Sequence, residues 1–155
     1  MRKTRYYEDV EIGEEFVSPT RTITEADVVN FSAITADWSE LHVSEEWARK
    51  SAFGRRVAQG LLGLAVTEGL KLRAGADEFA GIASLGWTWE FRGPIFLGDT
   101  IHISCRLRDK RKTKKPGRGI FYLAIQMINQ RQEVVQEGEH RLMVETRELG
   151  QSAYA

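Results

Sequence analysis

An aspartate and a histidine, Asp37 and His42, stand five residues apart in the stretch ADWSELH. Once folded, so short a connection can bring a carboxylate and an imidazole to the same water molecule. The pair then holds the water by two hydrogen bonds, and each group can take or give a proton. A neutral imidazole near its working range suits that chemistry at physiological pH. Such spacing also arises by chance, so the residues alone leave two readings. One is a proton-transferring pair; the other is a loop aspartate that caps Ser44 or a neighbouring amide, beside a histidine that is merely packed. The other chemistry-bearing residues are sparser. His102 and His140 fall at strand positions and read as surface or pairing residues, and three scattered histidines without clustered carboxylates or thiols make no metal site. The single cysteine, Cys105, excludes an internal disulfide and reads as a small apolar strand residue. Phosphate-loop, dinucleotide and nucleophile-elbow motifs are missing from the sequence.

Elements on either side must position the pair. Thr24, with Asp27 three residues on, is an N-cap for a helix over EADVVNFSAI that ends near Thr35 and sets Val28, Phe31 and Ile34 on one face. Asp37 then sits at an element boundary, and His42 at the far end of an irregular connection anchored by Leu41. Ser44 caps a second short helix over SEEWARKS. From Val57 to Arg73 the apolar residues cover most of a helix circumference, which predicts a long helix buried on nearly all sides. Gly60, Gly63 and Gly69 each cost that helix roughly 1 kcal/mol relative to alanine, which points to close approach of packed backbone or a ligand. VSPTRTIT reads as an edge strand, with Pro19 tolerable at an edge or bulge. The second half reads as four strands: IASLGWTWEFRGPIF, DTIHISCRLRD, RGIFYLAIQMINQ and EVVQEGEHRLMVETREL. Trp87 and Trp89 share one strand face, and Trp38 and Trp47 read as core or interface aromatics. The class is α+β, an antiparallel sheet with one long helix on it. A lone sheet of this kind leaves an edge and a face open, so a homodimer, or a higher homo-oligomer, is expected.

The chain has 155 residues, 42% hydrophobic and 28% charged, which fits one globular domain over residues 1–155. Lysine plus arginine equals aspartate plus glutamate, 22 of each, so no global charge draws the chain to nucleic acid or membrane. No apolar run is long enough for a span, and the basic N-terminus lacks a hydrophobic segment, so the cytoplasm is the expected location. Positive charge crowds instead into one hairpin, Arg106 to Arg118, around KKPGRG. It reads either as a solvated turn or as a contact for phosphates or an acidic carrier surface.

Three ordered motifs carry a resemblance. ADWSELH resembles the G-D-x-N-P-L-H element of the MaoC-like dehydratases, the (R)-specific enoyl-CoA hydratases of the hot-dog fold. SAFGRRVAQGLLGL is similar to their P-F-G-x-x-I-A-H-G-M-L segment, and FRGPIFLGDTI to their F-x-x-P-V-x-x-G-D-x-L strand. The similarity covers roughly residues 8 to 148. It implies a single hot-dog domain, a sheet wrapped around a long central helix. It also implies reversible syn hydration or dehydration of a 2-enoyl or (R)-3-hydroxyacyl thioester. By the same resemblance Asp37 and His42 are a catalytic dyad gripping one water, and the Gly60 amide at the helix start is a donor for the developing enolate oxygen. Gly60 has a plainer reading too, relief of crowding where helix meets sheet.

No cofactor is implied beyond coenzyme A or an acyl carrier protein as part of the substrate. Lys112, Lys114 and Lys115, with Arg55 and Arg56 ahead of the helix, are candidates for its phosphates. The sequence departs from the motifs at Ser39, Glu40 and Gln59, where the family has Asn, Pro and His. Losing the proline loosens the loop that sets the dyad geometry. Two other activities fit the same fold: a thioesterase, which has no need of His42, and a non-catalytic acyl-thioester-binding subunit.

Overall fold

The computed structural model describes residues 4–148. Six strands form one antiparallel sheet in the order β1-β4-β5-β6-β3, with β2 also paired to β4. These are β1 (Glu15–Val17), β2 (Arg21–Thr22), β3 (Gly81–Phe91), β4 (Thr100–Lys112), β5 (Arg118–Asn129) and β6 (Val134–Glu145). Alternation builds the inner face: Ile101, Ile103, Cys105 and Leu107 of β4 lie buried, as do Phe121, Leu123, Ile125 and Met127 of β5. Register shifts interrupt all three long pairings, and such bulges bend a sheet around whatever lies on it. What lies on it is helix α4 (Gly60–Arg73), whose Leu62, Val66 and Leu70 join the strand residues in one core. This is the expected α+β architecture.

The edge strand is split where the proline falls. Ser18 bonds Ile103 through both backbone and side chain, so the Ser18–Thr20 break stays stitched to β4. The Thr24 cap forms a full capping box with Asp27 and opens α1 (Glu25–Thr35). Val28 of α1 is buried, whereas Ile34 is 82% exposed, contrary to the one-face expectation. Each three-residue step falls about 60° short of a turn, so two steps carry the side chain off the core face. The connection after α1 is not irregular throughout: one helical turn, α2 (Glu40–Val43), carries His42, and α3 (Glu45–Ala48) follows from the Ser44 cap. The long helix starts at Gly60, three residues later than its apolar pattern, because Val57 bridges Phe96 in extended form. It is buried on one side only; Leu61 and Leu72 face outward. Among the described residues no helix is long and apolar enough to cross a membrane.

Candidate active site

Helix α1 ends on Ala36, which takes a left-handed conformation at φ 59°. That turn reverses the chain and sets Asp37 at the mouth of a cleft, its carboxylate accepting from the Ser39 amide at 3.3 Å. The resembling motif has glycine where Ala36 stands, so the cap is held here against side-chain strain. Arg56 ties the flanking elements together, paired through two nitrogens with Glu25 of α1 and through Nε with Glu45 of α3. Its guanidinium is therefore engaged by the scaffold.

His42 lies opposite Asp37. Its Nδ1 donates to the Val57 carbonyl at 2.7 Å, because a carbonyl only accepts. The neutral ring must then keep its Nε2 lone pair free, and Nε2 lies 3.7 Å from Asp37 Oδ2. That separation is beyond a hydrogen bond, and both atoms are acceptors. A water about 2.8 Å from each would satisfy both by donating one hydrogen to either side. The imidazole is mostly covered, the carboxylate about half exposed.

Two adjoining pockets open here. One, of about 350 Å³, is lined by Asp37, His42, Gln59, Gly60, Leu61 and Phe91. The other, of about 450 Å³, also contains His42, Gly60 and Phe91 and continues to Phe53, Pro94 and Ile95. Gly60 is the first residue of α4, so its amide has no partner within the helix, and none of the backbone bonds outside the helices and strands uses it. Its missing side chain has a packing reason as well, since a Cβ would come within 2.9 Å of the Phe91 ring. A Cβ at Gly63 would likewise collide with the buried Gln136 side chain, but none at Gly69 would meet anything among the described residues.

The cleft floor is the FRGPIFLGD loop. The Ala58 amide donates to the Ile95 carbonyl at 2.8 Å, and Asp99 accepts from the Phe96 amide at 2.9 Å and from Gln130 at 2.7 Å. Burial opposes the Asp99 charge, yet hydrogen bonds from Gln130, the Phe96 amide and Arg131 outweigh it and hold the carboxyl below its usual range.

One residue of the site carried no sequence signal, and a second, Phe91, was marked only as the leading residue of the FRGPIFLGDTI motif. Gln136 is buried, accepts from Trp89 Nε1 at 2.9 Å and donates to the Gly60 carbonyl at 3.0 Å, pinning the helix start to the sheet. Its neighbour Val135 is buried too, and no alternation rule puts consecutive strand residues on one side. Phe91 closes the pocket from the end of β3. Gln59, where the motif has histidine, is buried and donates to Ser32 Oγ at 2.8 Å; its Oε1 has no partner among the described residues. Such an acceptor costs about 1–3 kcal/mol until a donor reaches it.

The remaining candidates lie elsewhere. Lys112, Lys114 and Lys115 flank the β4–β5 turn, beside Glu145 of β6, whereas Gln136 at the cleft is nine residues back along that strand. That places the lysines roughly 30 Å from the cleft within one chain. Lys112 faces Glu8, and Lys110 bonds the Tyr7 and Val10 carbonyls. Arg55 stands near the cleft, over the Phe96 ring. Cys105 is buried as expected, and desolvation pushes its thiol up to about 12.

Of the two readings of His140, surface or pairing, the structure has the second: it is buried, 1% exposed. Lys71 on α4 donates to its Nδ1 at 2.9 Å and to Glu68 at 2.7 Å. Its Nε2 must then carry the hydrogen, donated to Ser84 Oγ at 2.8 Å, and Trp87 stacks on the ring at 4.1 Å. Burial first, and the Lys71 charge second, push this imidazole down to about 3.

Residues 8–125 match the family model described as MaoC like domain, and the chain belongs to that family. It is 38% identical over 112 residues to Protein MaoC of Klebsiella aerogenes, covering 72% of this chain but 32% of that protein, so it spans about a third of that relative's length. The (R)-specific enoyl-CoA hydratase of Rhodospirillum rubrum is 27% identical over 145 residues, 92% of this chain and 93% of that one. Among solved structures, a monoamine oxidase regulatory protein from Archaeoglobus fulgidus superposes with a TM-score of 0.88 at 31% identity, covering 94% and 97% of the two chains. A Mycobacterium tuberculosis protein with a double hotdog fold superposes at 0.81 and 19% identity, covering 92% of this chain and 44% of that one. The fold is the hot-dog fold.

Proposed function

We propose that the chain is a hydro-lyase that adds water to, or removes it from, a 2-enoyl or 3-hydroxyacyl thioester, with Asp37 and His42 as the proton-handling pair. Relatives named as hydratases and dehydratases support the reaction class. The observation that carries the mechanism is the 2.7 Å contact of His42 Nδ1 with the Val57 carbonyl: with that nitrogen donating, the Nε2 lone pair is left facing Asp37 across 3.7 Å. In hydration, Asp37 accepts the hydrogen that stays on the water oxygen and His42 Nε2 takes the other. The C3–O bond forms, and the π electrons move onto the thioester oxygen, where the Gly60 amide at the start of α4 donates to the enolate. The imidazolium, stabilised by Asp37, returns its proton to C2. Both additions come from one side of the double bond, which makes the overall step syn, and every atom of water ends in the product.

The test is loss of the enoyl absorbance of crotonyl-CoA, followed by longer trans-2-enoyl-CoAs. Turnover is expected. Binding without loss of the band would leave an acyl-thioester-binding subunit, and thiol release from a saturated acyl-CoA would leave a thioesterase. A second copy of the chain is part of the same reading. β3 lies at the sheet edge with Ile82, Leu85 and Phe91 exposed, and Leu61 and Leu72 of α4 face outward beside it. Light scattering should return a dimer mass; a monomer would refute that part.

A further inference from the structure

Beyond the Gly93–Pro94 ridge, which it shares with the cleft along with Arg92, lies a second cavity of about 570 Å³. Its walls carry three arginines, Arg55, Arg92 and Arg131, and one carboxylate, Glu133. Two of the arginines are occupied. Arg92 pairs with Glu90 and, at 2.8 Å, with Glu137; Arg131 pairs with Glu133 at 2.8 Å and Asp99 at 3.2 Å. Arg55 has no ion pair and no hydrogen bond among the described residues; its guanidinium lies 3.7 Å from the centre of the Phe96 ring. Stacking occupies the face of a guanidinium and leaves its edge, where all five N–H groups point, open to an anion. It also holds the side chain in place, so less freedom is lost when an anion binds.

We propose that Arg55, laid on Phe96, is the site for a phosphate ester on the pantetheine arm of the thioester. This rests on the hydro-lyase reading above, because that substrate class carries its phosphate on a flexible arm leading away from the reacting carbonyl. The thioester lies in the cleft at His42, and the arm crosses the ridge, where Gly93 offers no side chain to block it. Arg55 precedes Val57, the partner of His42, by two residues, so shelf and dyad are set by one stretch of backbone. The lysines of the β4–β5 turn, at the far end of the sheet, take no part.

Coenzyme A and a carrier protein share this phosphate chemistry, and small thioesters separate its sources. The Arg55→Gln variant and the wild type are compared on crotonyl-CoA, crotonyl-phosphopantetheine and crotonyl-pantetheine, which has no phosphate. A charge-assisted hydrogen bond is strong enough that its loss should lower the ratio of kcat/KM for crotonyl-CoA to that for crotonyl-pantetheine about tenfold or more. A parallel fall for crotonyl-phosphopantetheine assigns the shelf to the arm's own phosphate; a fall confined to crotonyl-CoA assigns it to the nucleotide phosphates. An unchanged ratio overturns the proposal. Calorimetry with coenzyme A itself needs no turnover. A Kd about tenfold weaker in Arg55→Gln, in a variant that melts with the wild type, supports the shelf even if no ester is hydrated, and an equal Kd rejects it.

Discussion

His42 and His140 differ by what their second nitrogen is given to do. In His42 the Nδ1 hydrogen is spent on a backbone carbonyl and the Nε2 lone pair opens onto a cleft beside a carboxylate. In His140 the arrangement is inverted. Nε2 donates to Ser84, and the Nδ1 lone pair is taken by a buried ammonium, whose charge and desolvating surroundings leave the ring unprotonated down to about pH 3. One imidazole keeps a lone pair open to the cleft, and the other has traded it for a place in the core. Both lie within reach of the same helix, His42 at its amino end and His140 on Lys71 near its carboxyl end. A histidine's use is set by the partner of its other nitrogen, not by proximity to charged groups.

The sharpest way to break this contrast is to remove the free pair. Asp37→Asn and His42→Ala should each lower kcat at least a hundredfold with unchanged melting, the usual scale for a lost acid–base group. Retention of more than about a tenth of the activity in both variants, measured on an enoyl-CoA that the wild type hydrates, would end the dyad assignment. His140→Leu should do the reverse, leaving kcat within a few-fold while lowering stability by about 2–4 kcal/mol, because Lys71 loses a buried partner. Denaturant titrations read that directly, and a large fall in kcat at full stability would contradict the division of labour. The same contrast has a pH signature. The unfolded chain takes up a proton at His140 below about 6.5 while the folded chain refuses it until about 3. His140 therefore supports the fold fully above pH 6.5, and that support drains away as pH falls toward 3. Wild-type stability should drop between pH 7 and 4.5 by more than that of His140→Leu; equal slopes would place the titration elsewhere.

Smaller effects test the scaffold. Ala36→Gly relieves a left-handed residue and should raise stability by about 0.5–1 kcal/mol, net of the added chain entropy; a loss would show that the Ala36 methyl packs usefully. Neutralising Lys112, Lys114 and Lys115 together should leave KM unchanged at low salt, since they lie at the other end of the sheet. A raised KM would mean that a second copy brings that hairpin to the cleft.

Much of the scaffold was legible because it is written in local rules. The Thr24 and Ser44 caps, the end of α1 at Thr35 and the four long strands follow from short-range hydrogen bonding and alternation, and the structure has each of them. Ile34 and the outward side of α4 were misread for a different reason. An apolar pattern says that a surface avoids water without saying what covers it, and within one chain nothing covers Leu61 or Leu72. The scaffold contacts of Arg56 were hidden because five donors at a helix approach suit a phosphate and a pair of glutamates equally well, and Glu25 and Glu45 are distant in sequence. Gln136 gave no sign at all.

The amino-acid sequence by itself determined which elements form, which residues can move protons, and, through three ordered motifs, the family. Only the tertiary structure decided which of those residues have capacity left over. Val57 and Lys71 fix the two tautomers, Gln136 pins the helix start, and Arg55, alone of its cavity's arginines, has no carboxylate partner among the described residues. The physical reason is that a hydrogen bond or ion pair consumes a donor or a lone pair, and most of these partners arrive from elements far away along the chain.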